Sequence, residues 1–550
     1  MKKTVSILLV LLLVIGALIS FEASAEVKYE VPKITFTTEN GKGTSLLKSD
    51  GYVNASVKIE DVDGSSLSDS IVMKVRGNST AFDSIAKKSY NFKFEKKKNV
   101  LNMGSGKKWA LISNIFDPTL ARNYVAFSLA QELGIPYTSN FKVVEVVVDG
   151  SFRGCYLLME PVGDGKDRVD IDVTGNGGKK DFLIELEALR EEEDVTYFTS
   201  NGIRFAVSEP DPPSEEQTSY IKSTMDDVIS TLKTGSKEEI ESKIDVESFV
   251  KFYLLNEFLK TVDFDFSSLF YYYKDGKLCA GPPWDYDLST GNVNENFSAR
   301  YSSSYKTDGL FISNYNLYKI LCAKDWFNDL SKAEFIKHYS YFASIPAKGG
   351  VIDSFYNTYK TVINRNFKDA GWQVNRYYVN VMKTPLATYE ENYDFYVNWC
   401  KERVDWLTDY FGVEPTSETV TEPAAETTVP ATDAPTQTDT FAPEPTAAES
   451  TEAFSTAPES TEALSTAAES TEALSTAAES TEPVSAPQYR QGDVNRDKVL
   501  SIKDATLIQK YLALLESLDN EQIELADMNE DKIVSIKDAS QIQKILVGIA

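Results

Sequence analysis

The chain has 550 residues, 42% of them hydrophobic, with 83 acidic against 56 basic side chains and a formal net charge of −27. That acidity excludes nucleic acid and an anionic membrane surface as partners, since both would repel it. His338 is the single histidine, so Ser-His-Asp or Cys-His catalysis would have to run through it, and its sequence neighbours Phe335, Tyr339, Tyr341 and Phe342 are aromatic rather than acidic.

In chain order, Lys2 and Lys3 precede an apolar run over 5–19, and Ala23-Ser24-Ala25 supplies small residues for cleavage. This is the pattern of a signal peptide over 1–25, in a run short of the ~20 residues a spanning helix needs. The mature chain is therefore expected to be secreted, with no membrane contact after cleavage. Residues 26–413 form an aromatic-rich module, large enough for one domain or two lobes. Its first half alternates like strands over 52–59, 71–75, 90–94, 109–112, 141–148, 154–159 and 182–186. One helix interrupts them, with Asp117-Pro118 as cap and first turn, running through Arg122 to Leu133 before Gly134 stops it. After about residue 215 the periodicity is helical, including 246–259 and much of 317–410. The expected fold class is α+β, a sheet-rich half followed by a helical half. Cys155, Cys279, Cys322 and Cys400 permit two disulfides in principle or remain buried thiols, and none has metal-ligand spacing.

From 414 to 487 the composition changes to Thr, Ser, Glu, Ala and Pro, and the ten-residue unit beginning at Ser460 recurs at Ser470. Such a segment buries too little apolar surface to offset chain entropy and reads as an extended linker. Residues 488–550 then carry two twelve-residue acidic loops, 493–504 and 527–538. A calcium loop offers oxygens at positions 1, 3, 5, 7, 9 and 12. Asp493, Asn495, Asp497, Val499 (backbone carbonyl), Ser501 and Asp504 fill these in the first copy, and Asp527, Asn529, Asp531, Ile533, Ser535 and Asp538 in the second. Position 6, which turns sharply, is Lys498 or Lys532 instead of Gly, a left-handed placement costing on the order of 1 kcal/mol. A helix-period stripe follows each loop: Ala505, Ile508, Tyr511, Leu512 and Leu515, then Ala539, Ile542, Ile545 and Leu546.

Three constellations in the large module carry possible chemistry. Arg76-Gly-Asn-Ser-Thr80 is a turn able to present backbone N–H groups to a phosphate, with Lys87, Lys88 and Lys93 following on the next strand. The helix carries Arg122, Asn123 and Glu132, and Arg122 in the first turn opposes the dipole, so it needs either a carboxylate or an anionic ligand. The densest is Val262-Asp263-Phe-Asp265, a short apolar strand, the turn Lys274-Asp-Gly-Lys277, and Trp284-Asp285-Tyr-Asp287. A hairpin would bring Asp263 or Asp265 close to Asp285 and Asp287, where clustered carboxylates repel unless a divalent metal or a shared proton neutralises them, which suggests Mg²⁺ or Mn²⁺ with one left as base.

These residues resemble known families. The duplicated loops and helices from Gly492 to about residue 547 resemble a dockerin, a small all-α calcium-loop domain that implies two Ca²⁺ and a cohesin on a scaffold protein as partner. Arg76-Gly-Asn-Ser-Thr80, Lys87-Lys88-Ser-Tyr, Lys108-Trp109, Ala121-Arg122-Asn123, Glu132-Leu-Gly-Ile-Pro136, Gly154-Cys-Tyr-Leu-Leu-Met-Glu160, the Asp263 segment and Pro283-Trp284-Asp285-Tyr-Asp287 resemble, in order, the spore-coat CotH-like atypical protein kinases. That resemblance implies a distant protein-kinase-like fold, ATP with Mg²⁺ or Mn²⁺, and phosphoryl transfer to Ser or Thr. It matches Asp263 to the catalytic aspartate and Asp285 to the metal aspartate, with Lys88 or Lys93 at the phosphates and Glu132 or Glu160 as ion-pair partner. Arg76 and Arg122 join them on the cofactor side. Leu269 stands where a metal-holding Asn often occurs, so either Asp265 or Asp287 would substitute or activity would be impaired. Three functions follow: a kinase-fold enzyme acting before or during export, a pseudo-enzyme or carbohydrate-binding module, or a glycoside hydrolase on the same secreted scaffold complex.

Overall fold

The computed structural model describes residues 30–188, 194–413, 489–512, 518–529, 534 and 536–546. The expected signal peptide, the linker, and Asp531, Ile533 and Ser535 of the second loop lie outside them. The chain divides into two compact units, one ending at Ala424 and the other beginning at Ala425.

In the first unit seven strands close a barrel in the order β1-β2-β3-β4-β5-β7-β6. These are β1 (Lys33–Thr38), β2 (Val53–Glu60), β3 (Ser66–Arg76), β4 (Ser89–Asn99), β5 (Ser105–Ile112), β6 (Phe141–Val148) and β7 (Ser151–Met159). Every neighbouring pair is antiparallel except β1 with β6. Alternation sends Phe36, Met73, Val75, Tyr90, Phe92, Trp109, Leu158 and their neighbours into one buried cluster. The same alternation puts Lys74 and Arg76 of β3, with their cross-strand partners Asn91 and Ser89 of β4, on the opposite face.

A second sheet, ordered β12-β11-β8-β10-β9, belongs to the helical half. It comprises β8 (Phe182–Leu186), β9 (Tyr197–Ser200), β10 (Ile203–Glu209), β11 (Leu269–Lys274) and β12 (Lys277–Ala280). The expected hairpin is β11–β12, turning at Asp275 and Gly276, both left-handed (φ 50° and 85°) as a two-residue turn requires. Helix α1 (Arg122–Glu132) follows β5, and α2 (Glu215–Thr234), closed by a Ser214/Gln217 capping box, follows the second sheet's first three strands. Helix α3 (Val246–Leu259) is buried on nearly all sides and ends at Lys260 in the left-handed conformation. Against it pack α5 (Asp325–Lys337) and α7 (Tyr389–Phe411), while α4 (Ala299–Tyr305) lies on the turn 262–265 that follows it and α6 (Val351–Lys368) packs on β7. The unit is thus a mixed α/β structure.

One polar joint ties α6 to the barrel. Lys87 Nζ donates to Ser113 O (2.9 Å), Cys155 O (2.7 Å) and Asn366 Oδ1 (2.9 Å), and Asn366 Oδ1 also accepts the Cys155 N–H. Burial pushes the Lys87 ammonium down to about 7. All four cysteines are free thiols, three of them buried.

In the second unit α8 (Ile502–Leu512) and α10 (Ile536–Leu546) flank α9 (Asn520–Ala526). Ala505 and Ile508 pack with Ala539 and Ile542 in one small core, so the two stripes meet. Among the described residues no helix is long and apolar enough to cross a membrane.

Candidate active-site cleft

A cleft of about 360 Å³ lies between the outer face of β3–β4 and the β11–β12 side of the helical half. The barrel contributes Lys48, Lys74, Arg76 and the turn 77–80, and the facing wall carries Glu185, Asp263, Asp285 and Asp287. Gly77 makes the turn possible: its φ is +92°, and a Cβ there would meet Thr80 Oγ1 at 2.0 Å.

Asp263 stands on the 3-10 turn Val262–Asp265, just past the left-handed Lys260 that stops α3. The Val262 N–H donates to Leu288 O at 3.3 Å, tying this turn to the segment that carries the other two aspartates. There Asp285 adopts φ +63°, a costly conformation for a non-glycine residue, and the next amide, Tyr286 N–H, is held by Asn123 Oδ1 at 2.8 Å. Asn123 in turn donates to Asn114 Oδ1 (2.9 Å), and Asn292 donates to Asp287 O (2.7 Å). The aspartate segment is therefore fixed from α1 and from its own continuation.

Burial holds the Asp287 carboxyl well above the usual carboxylate range, and the charges of Asp285, Asp263 and Asp117 push it further. Across the cleft Arg76 stacks on Trp284 (4.8 Å), faces Asp285, Glu185 and Asp287, and keeps a buried Nε without a hydrogen-bond partner. Asn91 Oδ1 is likewise buried and unpartnered. Among the described residues no three carboxylate, imidazole or thiolate groups converge enough to hold a metal by themselves. Mg²⁺ characteristically takes one or two carboxylates and completes its octahedron with phosphate oxygens and water. Asp285 and Asp287 fit that need, since a divalent cation relieves the repulsion around Asp287.

Of the residues singled out in the sequence, Asp263, Asp285, Asp287 and Arg76 come together here. Others do not. Asp265 pairs with Arg300 (3.2 Å) instead of facing the other aspartates. Arg122 is buried and takes the carboxylate alternative: Nη1 meets Asp117 Oδ1 at 2.5 Å, Nε donates to Thr290 Oγ1 at 3.0 Å, and the guanidinium lies over Tyr396. Lys88 Nζ donates to Phe82 O and Ala81 O, away from the cleft lining. Lys93 shares the outer face of β4 but lies two residues beyond Asn91 and does not line the cleft. Glu132 meets His338 Nδ1 (3.2 Å), and Glu160 meets Arg168 (3.5 Å), so neither serves a cleft lysine. His338 sits between Glu132 and Glu334, correcting the expectation that it lies away from acids. The cleft lysines are Lys74 and Lys48, which the sequence reading missed. Lys74 was detectable, because period-2 alternation places it on the same face as Arg76, whereas nothing in the loop around Lys48 marked it.

In the second unit Asp493 and Asp504 are fully buried at the centre of the first loop. Asp493 accepts the N–H groups of Asp497 (3.1 Å) and Lys498 (2.9 Å), and Asp504 accepts those of Asn495 (3.0 Å) and Ser501 (2.8 Å). Lys498 has φ +66°, the left-handed conformation expected at position 6. In the second loop Asp538 is equally buried and accepts the Met528 N–H (2.9 Å).

Comparison with known families agrees with both units. The model of the CotH kinase protein family matches residues 73–407, and that of the dockerin type I domain matches residues 491–547. No curated protein matches the chain. The chain belongs to the CotH kinase protein family and carries a type I dockerin domain.

Proposed function

We propose that the first unit is an atypical, protein-kinase-like phosphotransferase, using ATP with Mg²⁺ or Mn²⁺ to phosphorylate Ser or Thr hydroxyls of protein. The observation that carries this reading is the meeting of Asp263 with Asp285 and Asp287 across from Arg76, Lys74 and the 77–80 turn in one cleft.

Asp285 and Asp287 hold the divalent ion, which when bound would neutralise charge on the transferring phosphoryl group. Lys74, Lys48 and the N–H groups of the 77–80 turn hold the phosphates from the barrel side. Asp263 orients the acceptor hydroxyl and takes its proton at a carboxylate oxygen. Arg76, stacked on Trp284 with an open Nε, supplies a further charge at the phosphates. Little else is required, because positioning and charge neutralisation provide most of phosphoryl-transfer catalysis.

The dockerin domain places this unit on a secreted scaffold. Its two loops each bind a Ca²⁺, with Asp493, Asn495, Asp497, Val499, Ser501 and Asp504 as the first ligand set, and the paired helices α8 and α10 meet a cohesin. The test is label transfer from γ-labelled ATP to a Ser-rich protein in Mn²⁺, comparing the full chain with Asp263→Asn. Loss of about 100-fold or more supports the assignment; equal transfer by the variant refutes it.

A further inference from the structure

A 3-10 turn four residues long has little internal hydrogen bonding to hold it, so the turn bearing Asp263 depends on what grips it from outside. Arg300, on α4, supplies the grip. Its Nε donates to Val262 O at 2.9 Å and its Nη1 to Asp265 Oδ2 at 3.2 Å, so the planar fork straddles Asp263, holding the residue before it and the residue two beyond. The fork is itself immobilised, with its carbon 4.2 Å from the Phe266 ring centre and 4.0 Å from that of Tyr315, and the side chain is only 12% exposed. The same helix closes the turn from its other end: Ser304 Oγ donates to Lys260 O (2.5 Å), and Lys260 Nζ donates to Ser303 O (3.1 Å).

Arg300 does not line the cleft. It stands behind Asp263, and Asp265, which the sequence offered as a metal ligand, serves instead as the carboxylate on which the fork is anchored. We infer that Arg300 is a positioning residue, whose simultaneous hold on Val262 O and Asp265 sets the Asp263 carboxylate against the acceptor hydroxyl. This rests on the assignment of Asp263 made above. A lysine reaches only one of the two partners, since an ammonium is a point charge without the fork.

The experiment compares the full chain with Arg300→Gln and Arg300→Lys by two readouts. The first is steady-state transfer alongside metal-dependent ATP affinity. The expected result is a kcat about 10- to 100-fold lower in Arg300→Gln, a smaller loss in Arg300→Lys, and ATP affinity within about 3-fold of the parent. The second is amide hydrogen exchange over 262–268, where Phe266 and Ser267 donate to Asp263 O at 2.8 and 3.1 Å. Exchange there speeds up in Arg300→Gln if the fork holds the turn. Unchanged exchange, or ATP affinity falling in step with kcat, overturns the inference. If the parent chain transfers no phosphoryl group, the phosphotransferase reading fails, and the exchange result alone decides whether Arg300 holds the turn.

Discussion

Arg403 on α7 is wholly buried, and its removal should destabilise the first unit more than any cleft substitution. Nη2 donates to Glu257 Oε1 (2.7 Å) and Glu257 O (2.8 Å), and Nη1 donates to Thr307 O and Gly309 O (both 2.9 Å). Glu257 in turn accepts the N–H groups of Phe311 (2.7 Å) and Ile312 (2.8 Å). The pair therefore fastens the 307–312 stretch onto α3 and α7. Arg403→Met leaves a 1% exposed carboxylate without its counter-charge and strips three carbonyls of a donor. Breaking one side of a buried pair costs about 3–5 kcal/mol. For a unit of about 380 residues, an unfolding entropy of ~2 cal/mol/K per residue makes that about 4–6 °C in Tm. Scanning calorimetry of the full chain reads the transition directly. Glu257→Gln combined with Arg403→Met should recover part of the loss, because the orphaned charge is gone. A shift corresponding to less than about 1 kcal/mol for Arg403→Met would refute the reasoning.

Three further outcomes are expected. Asp287→Asn should raise metal-free stability while abolishing metal-dependent ATP binding. The folded carboxyl titrates above its unfolded value of 3.8, so its ionisation removes stability as pH rises from 3.8 through the folded pKa, and the amide escapes that loss; chemical denaturation at pH 5 and pH 7 measures it. Lys87 titrates at about 7 folded against 10.5 unfolded, so the unfolded chain binds more protons between those values and stability rises with pH across them. Denaturation between pH 7 and 9 should show a slope up to about 1.4 kcal/mol per pH unit that Lys87→Met lacks. Chelation of Ca²⁺ should release the full chain from a cohesin-bearing scaffold, with Ca²⁺ but not Mg²⁺ restoring binding; pull-down with and without EDTA checks this, and binding that survives EDTA contradicts it.

Alternation made most of the barrel legible: 141–148 coincides with β6, as 182–186 does with β8 of the second sheet, while 71–75 catches only the buried C-terminal half of β3, whose exposed half from Ser66 is polar. The strand β1 escaped notice because Thr35, Thr37 and Thr38 leave it only two fully buried apolar residues, Ile34 and Phe36, and its place in the barrel comes from pairing with β2 and β6 far along the chain. The carboxylate cluster was visible because a tight Asp-Gly turn forces the two ends of a hairpin together. Which lysine faces the cleft was legible only in part: alternation sets Lys74 on the face of Arg76 and Lys88 in step with the buried Tyr90 and Phe92, but that Lys93, on the same outer face, falls beyond the cleft depends on where the facing wall covers the barrel. Asp265 shows the same limit, since its partner Arg300 lies 35 residues on and on another helix, where no local spacing reveals it, whereas the Asp117 that pairs with Arg122 stands only five residues before it.

The central claim, that the cleft binds ATP through a metal held by the Asp285 segment, is tested most directly by titration calorimetry of ATP into the full chain with Mg²⁺ or Mn²⁺. The account predicts metal-dependent binding that disappears in Asp285→Ala. ATP binding that ignores both the metal and the substitution, or no binding with either metal, would contradict it.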